Sequence, residues 1–159
     1  MSTVQVGQPI PDLSVQATDD QAFRLSELQG RHVVLYFYPK DNTPGCTTEG
    51  QDFRDHYEEF EKLNATILGV SRDDIKSHES FKGKQCFPFD LIADTDEELC
   101  RAFDVIKEKS LYGKKSMGIE RSTFIIDGQG VLRREYRKVK VDGHVLAVLQ
   151  DLREIVTRR

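Results

Sequence analysis

Apolar residues in this chain gather in two kinds of run. Three runs are short, continuous and rich in β-branched and aromatic residues: "RHVVLYFYP", ended by Pro39, "ATILGVS" at 65–71 and "STFIID" at 122–127. Such runs predict strands buried on both faces. After the third, the turn "GQG" followed by "VLRREYRKV" predicts a hairpin. The other runs repeat at helical spacing. Phe53, Tyr57, Phe60 and Leu63 recur with charges between them and predict a helix from Phe53. "DDIKSHESFKGKQ" reads as a second helix, and "TDEELCRAFDV" as a third with Thr95 as its cap. "GHVLAVLQDLREIV" is the fourth, with Val145, Leu149, Leu152 and Val156 on one stripe. Near the start, "LSVQATDDQAFRLSEL" reads as a short hairpin turning at Asp19 and Asp20 into a helical turn. The order β-α-β-α-(α)-β-β-α predicts an α/β fold.

Composition narrows what such a fold does. At 159 residues, with no repeat or linker, the chain reads as one domain over 1–159. Charged residues make up 31% and apolar ones 38%, and the formal net charge is −4. That balance gives no reason to expect nucleic acid as a partner, and the basic clusters "RREYRK" and "GKK" read as a solvated strand face and a loop. No apolar run approaches the ~20 residues that cross a bilayer. "MSTVQVGQPIPDL" has no basic start followed by an apolar core, so no secretory signal is expected. For a complete chain, a cytoplasmic address follows. The three cysteines, Cys46, Cys86 and Cys100, form no CxxC and suit a reducing compartment. His32, His56, His78 and His144 show no ligand spacing with them, so no metal is expected. No other cofactor is expected either.

The placement of Cys46 carries the chemistry. In "DNTPGCTTEG", Thr43 is a good cap and Pro44 a good first helical residue, because the amide hydrogen that proline lacks is unpaired there anyway. Cys46 then falls third, inside the first turn, among free backbone N–H groups at the positive end of the helix dipole. Both favour thiolate, the nucleophilic form. Gly45 leaves room for a small substrate to approach the backbone. The alternative reading of Cys46 is a buried structural thiol.

The stretch "VVLYFYPKDNTPGCTTEGQDFRD" contains Pro39-x-x-x-Thr43-x-x-Cys46 and resembles the active-site motif of the peroxiredoxins, most closely the PrxQ or bacterioferritin comigratory protein subfamily. "LGVSRDDIKSHESF", "FPFDLIADTDEELCRAFDVIKEKSLYGKKSMGIERSTFIID" and "YRKVKVDGH" extend the resemblance from about Val6 to the last helix. It implies a thioredoxin-like fold and a thiol peroxidase reducing hydrogen peroxide and small organic hydroperoxides. It also implies a reductant, thioredoxin or else glutaredoxin or glutathione, and a monomer, with dimers in some members. Cys46 would be the peroxidatic nucleophile, passing through a sulfenic acid. Thr43 would accept a hydrogen bond from the peroxide while donating to the thiolate. Arg121, in "GIERSTF", would stabilise the thiolate and the leaving oxygen, and Pro39 would shield the pocket. Glu49 either orients the site or favours the helix start.

The resemblance has one gap. Many PrxQ proteins carry a second cysteine five residues after the first, where this chain has Gln51. Others carry it after the phenylalanine of "SHxxF", where this chain has Lys82. Cys86, four residues on, is either a displaced resolving cysteine one helical turn along or a short buried cysteine. Cys100 shares a helical face with Phe103 and is expected in the core. Gly50, in a helix interior, is expected to ease opening of the Cys46 turn. Disulfide oxidoreductases usually need CxxC, and a glutathione-peroxidase-like site needs a tryptophan this chain lacks. A redox-sensing module using Cys46 is the non-enzymatic alternative.

Overall fold

Residues 33–38 are all buried because they lie at the centre of a sheet with a core on each side. In this computed structural model, which describes residues 4–157, that strand is β3 (His32–Phe37). It is preceded by the hairpin β1 (Ser14–Ala17) and β2 (Gln21–Arg24) and a 3-10 turn, Leu25–Leu28. Asp19 and Asp20 both take left-handed backbone there, at φ 60° and 57°, a conformation that short polar side chains tolerate. After β3 come α1 (Pro44–Asp55), α2 (Tyr57–Lys62), β4 (Ala65–Ser71) and α3 (Ile75–Gln85). Then follow β5 (Asp90–Ala93), α4 (Glu98–Ala102), β6 (Ile106–Leu111) and β7 (Lys114–Ile119). The chain ends with β8 (Ser122–Ile126), β9 (Leu132–Tyr136) and α5 (His144–Thr157).

Seven strands form one mixed sheet in the order β2-β1-β5-β4-β3-β8-β9, and β6 and β7 pair separately. Strands β3, β4 and β5 are parallel, while β8 runs antiparallel beside β3. Alternation along β3 sends Val34 and Tyr36 to one face and Val33, Leu35 and Phe37 to the other. The first face is covered by α1, α2, α3 and α5 through Phe53, Phe60, Phe81 and the stripe Val145, Val148, Leu149, Leu152. The second is covered by α4 and the segment after it, through Leu99, Cys100, Phe103 and Val105. Each fully buried side chain of this kind contributes roughly 1.5–3 kcal/mol.

The helix start expected at Thr43 and Pro44 and the apolar spacing from Phe53 belong to one helix, α1, which breaks at His56, whose backbone (φ −110°, ψ 11°) leaves the helical range. The apolar spacing runs through the break because Phe53 and Phe60 pack in the same core. Thr95 is exposed and does not cap α4, which has only five residues and begins after Glu97 in left-handed backbone. Buried Asp94 does the capping, accepting the amides of Leu99 at 3.0 Å and Cys100 at 2.7 Å. Strand β5 and the β6–β7 hairpin were not foreseen. The first has only four residues and starts two residues after Pro88, and the second is too charged to show an apolar pattern.

Candidate active site

Helix α1 begins where its sequence places it. Thr43 holds the cap position in extended backbone (φ −90°, ψ 153°), Pro44 is first, and Cys46 is third. The Thr43 carbonyl accepts the Thr47 amide at 2.9 Å, while the amides before it in the turn have no acceptor within the helix. The Thr43 hydroxyl donates to the Lys40 carbonyl at 2.8 Å. Its one proton is therefore engaged, and the donation to sulfur expected of it is not made in this conformation; its lone pairs remain as acceptors. Pro39 lies half-buried directly after Tyr38, whose amide donates to the Val70 carbonyl at 3.0 Å.

Arg121 stands just before β8, whose pairing of Ser122 with Phe37 brings it to the end of β3 from which the chain turns toward α1. Its Nη2 donates to Cys46 Sγ at 3.3 Å, and its Nη1 to Glu49 Oε1 at 2.5 Å. Cys46 and Glu49 are three residues apart on one helix face, so one guanidinium fork reaches both. Cys46 is 2% exposed and Glu49 fully buried. A Cβ on Gly45 would sit 3.2 Å from Arg121 Nη2. The space read as room for substrate is thus where the guanidinium lies.

Burial pushes the Glu49 carboxyl up to about 7, against the pull of Arg121. Its Oε2 has no hydrogen-bond partner among the described residues. Burial works against the charge on Arg121, but Glu49 and Cys46 outweigh it and hold the guanidinium cationic more firmly than usual. Glu49 therefore contacts the site rather than serving the helix start alone. Lys109 was missed by sequence reasoning, since the charges in "KEKSLYGKK" show no apolar pattern. The β6–β7 hairpin brings its Nζ to the Ile119 carbonyl, 2.7 Å away and two residues before Arg121. Its pKa is lowered by partial burial, then by repulsion from Arg121 and Arg72, with Cys46 opposing.

The other cysteines separate clearly. Cys100 is fully buried, and burial with help from Asp94 pushes its thiol far up. Cys86 is exposed, so the buried alternative for it fails. Helix α3 stops at Gln85 and Cys86 is its cap in left-handed backbone (φ 55°, ψ 44°), so it does not continue the helical face of Lys82. Lys82 instead pairs with Asp19 at 2.8 Å and Asp90 at 2.7 Å. The segment around Cys86 rests on α1. Gln51 donates to Gln85 Oε1 at 2.8 Å, Arg54 to the Gln85 carbonyl at 2.9 Å, and the Phe87 ring packs on Gly50. All three thiols are free.

The chain that holds this buried cysteine and arginine fork is, as a whole, similar to known proteins. The profile of the AhpC/TSA family matches residues 6–135. The chain belongs to that family. Among AhpC/TSA proteins it is similar to Peroxiredoxin Bcp of Bacillus subtilis, 50% identical over 153 residues, 96% of this chain and 98% of that one. Peroxiredoxin Bcp of Xanthomonas campestris is 54% identical over 142 residues, covering 89% of each chain. A solved structure of the X. campestris bacterioferritin comigratory protein, concerned with its alkyl peroxide reduction activity, aligns with a TM-score of 0.90 and 49% identity, over 96% of this chain and 99% of that one. This AhpC/TSA member is thus a peroxiredoxin of the PrxQ or Bcp type with a thioredoxin-like fold, and peroxiredoxins are thiol-dependent peroxidases. None of its helices, among the described residues, is long and apolar enough to cross a membrane.

Proposed function

We propose that Cys46 is the peroxidatic nucleophile of this peroxiredoxin and Cys86 the cysteine that recovers it. The Arg121 guanidinium, shared between Cys46 sulfur and Glu49, is the observation that carries the first half. The Cys46 thiolate attacks one oxygen of a hydroperoxide, the O–O bond breaks, and the other oxygen leaves as hydroxide or alkoxide and takes up a proton. Cys46 becomes a sulfenic acid. Arg121 faces the charge on sulfur before attack and the charge on the departing oxygen during it. The Thr43 oxygen accepts the peroxide O–H and aligns it, and Pro39 keeps water from the pocket. Hydrogen peroxide and small organic hydroperoxides are the expected substrates, as the peroxiredoxin relatives suggest.

In the second half, the Cys86 thiol condenses with the sulfenic acid, forming a disulfide and releasing water. Cys86 is exposed while Cys46 is 2% exposed, so the first turn of α1 opens for the sulfurs to meet. On helix propensity alone Gly50 favours that opening, an interior helical glycine costing about 1 kcal/mol relative to alanine, while the Phe87 ring packed against it works the other way. A dithiol protein, thioredoxin in the first instance, then reduces the disulfide, and glutaredoxin or glutathione are the other reductants to compare. Free thiols suit a cytoplasmic site of action, and a monomer over residues 1–159 suffices for the cycle. The test is peroxide-dependent NADPH consumption with thioredoxin and its reductase. Cys46→Ser is expected to abolish turnover; retention of more than a few per cent of wild-type rate overturns the assignment. A single stoichiometric oxidation without turnover in the wild type would mark a sensor instead.

A further inference from the structure

Between the segment that leads to Cys46 and α3 lies a buried polar network that none of these steps uses. Asp41, 4% exposed, stands two residues before Thr43. Its Oδ1 accepts the Tyr38 hydroxyl at 2.7 Å, and its Oδ2 accepts the Ser77 hydroxyl at 2.8 Å. The same Oδ2 lies 2.7 Å from Nδ1 of His78, which is fully buried. On the other side of the ring, Nε2 lies 2.9 Å from the Ile92 carbonyl. A carbonyl only accepts, so Nε2 is the donor in that bond. The Asp41 amide in turn donates to Asp73 Oδ2 at 2.9 Å, an oxygen that also accepts the Ser71 hydroxyl at 2.6 Å.

Asp41, Asp73 and His78 are close enough to suggest a metal site, their ligand atoms lying within 4.8 Å of one another. Both Asp41 oxygens and Asp73 Oδ2 are already taken by protein donors, however, and the cluster is complete as a hydrogen-bonded one. Filling space does not call for it either. An apolar ring would occupy the volume of His78 without the cost of burying an imidazole against a carboxylate.

What the network does fix is the backbone at Asp41. The next residue, Asn42, takes left-handed backbone (φ 63°), and there the chain turns into Thr43 and α1. The Thr43 hydroxyl spans this turn to Lys40. Residues 39–43, the segment that leads into α1, are therefore tied to α3 and β5 through the Asp41 carboxylate, whereas the sulfur is held separately by α1 and Arg121.

We propose that His78, acting through Asp41, is a positioning residue for peroxide: it fixes residues 39–43 so that Pro39 and Thr43 stand correctly beside Cys46. This rests on the assignment of Cys46 above. It implies that losing the His78 bonds slows attack on peroxide while leaving the sulfur's general reactivity in place. Small misplacements of reacting groups cost up to about 10²-fold.

The experiment uses a Cys86→Ser parent, so that Cys46 is the only reactive thiol, and measures two rates. One is the rate constant with hydrogen peroxide, by competition with a haem peroxidase for limiting peroxide. The other is alkylation of Cys46 by iodoacetamide, which needs no peroxide-shaped wall. His78→Phe keeps the ring volume and removes both bonds; its peroxide rate is expected to fall at least about tenfold and its alkylation rate less than about threefold. Ser77→Ala, which removes one bond to Asp41 from a half-buried position, is expected to lose peroxide rate about two- to fivefold. A folded His78→Phe protein with the parent's peroxide rate, or with both rates reduced alike, overturns the proposal. Should His78→Phe not fold, an unchanged peroxide rate in Ser77→Ala overturns it. Cys46→Ser, run alongside, separates the two ideas: peroxide consumption that survives in it refutes the Cys46 assignment rather than the role of His78.

Discussion

The tip of the Phe87 ring lies against Gly50: a Cβ built on the glycine would stand 2.3 Å from Phe87 Cζ and 2.9 Å from Cε1. Gly50 is one turn after Cys46 on α1, and Phe87 directly follows Cys86. The contact thus joins the helix of buried Cys46 to the segment of the exposed thiol, Cys86, and only a residue without a side chain permits it.

This contact changes what a glycine substitution tests. On helix propensity alone, Gly50→Ala gains about 1 kcal/mol. Against that, forcing a methyl under a buried ring costs about 1–3 kcal/mol. Gly50→Ala is expected to lower stability in urea denaturation and to raise the exposure of the 85–89 segment to hydrogen exchange. A variant more stable than wild type would show that Phe87 yields easily and that propensity dominates.

Glu49 makes stability depend on pH in a direction opposite to most carboxylates. Its folded pKa, about 7, lies above the ordinary 4.5, so between those values the folded state binds more protons than the unfolded one. Stability is then lost as pH rises through this window, by on the order of 3 kcal/mol in total, with the loss complete above about 7. Glu49→Gln keeps an acceptor for Arg121 and removes the titration. The stability of the variant relative to wild type is therefore expected to increase from pH 5 to pH 8. A difference that stays constant with pH would remove Glu49 from this role.

The two remaining thiols differ in access and in chemistry. Cys86 is exposed, whereas Cys100 is fully buried with its thiol pushed up by burial and by Asp94. Thiolate is the form that reacts with maleimides. N-ethylmaleimide is expected to modify Cys86 in the native protein and Cys100 only after denaturation. Native labelling of Cys100 ahead of Cys86 would contradict the packing described for α4.

Much of this was legible in the sequence, for identifiable reasons. The central strands are continuous apolar runs, and Thr43-Pro44 sets the helix register that makes Cys46 third. Asp19 and Asp20 marked their turn. Other features depend on neighbours far along the chain. The α4 cap is Asp94, folded back onto Leu99 and Cys100, where local sequence pointed to Thr95. The end of α3 at Gln85, with Cys86 in left-handed backbone, goes with the packing of Phe87 against Gly50 on another helix. Lys109 approaches the site on a hairpin whose charges hide its strand pattern, and His78 meets Asp41 across 37 residues. Spacing along one element says nothing about such contacts.

The most direct test of the cycle is intact-mass analysis after one equivalent of hydrogen peroxide, on wild type and Cys86→Ser. Wild type is expected to lose two hydrogen atoms, the mass of one disulfide, and Cys86→Ser to gain one oxygen atom, the mass of a sulfenic acid on Cys46. A wild-type protein that retains a stable oxygen addition, or a Cys86→Ser variant that still loses two hydrogens, would contradict recovery of Cys46 by Cys86.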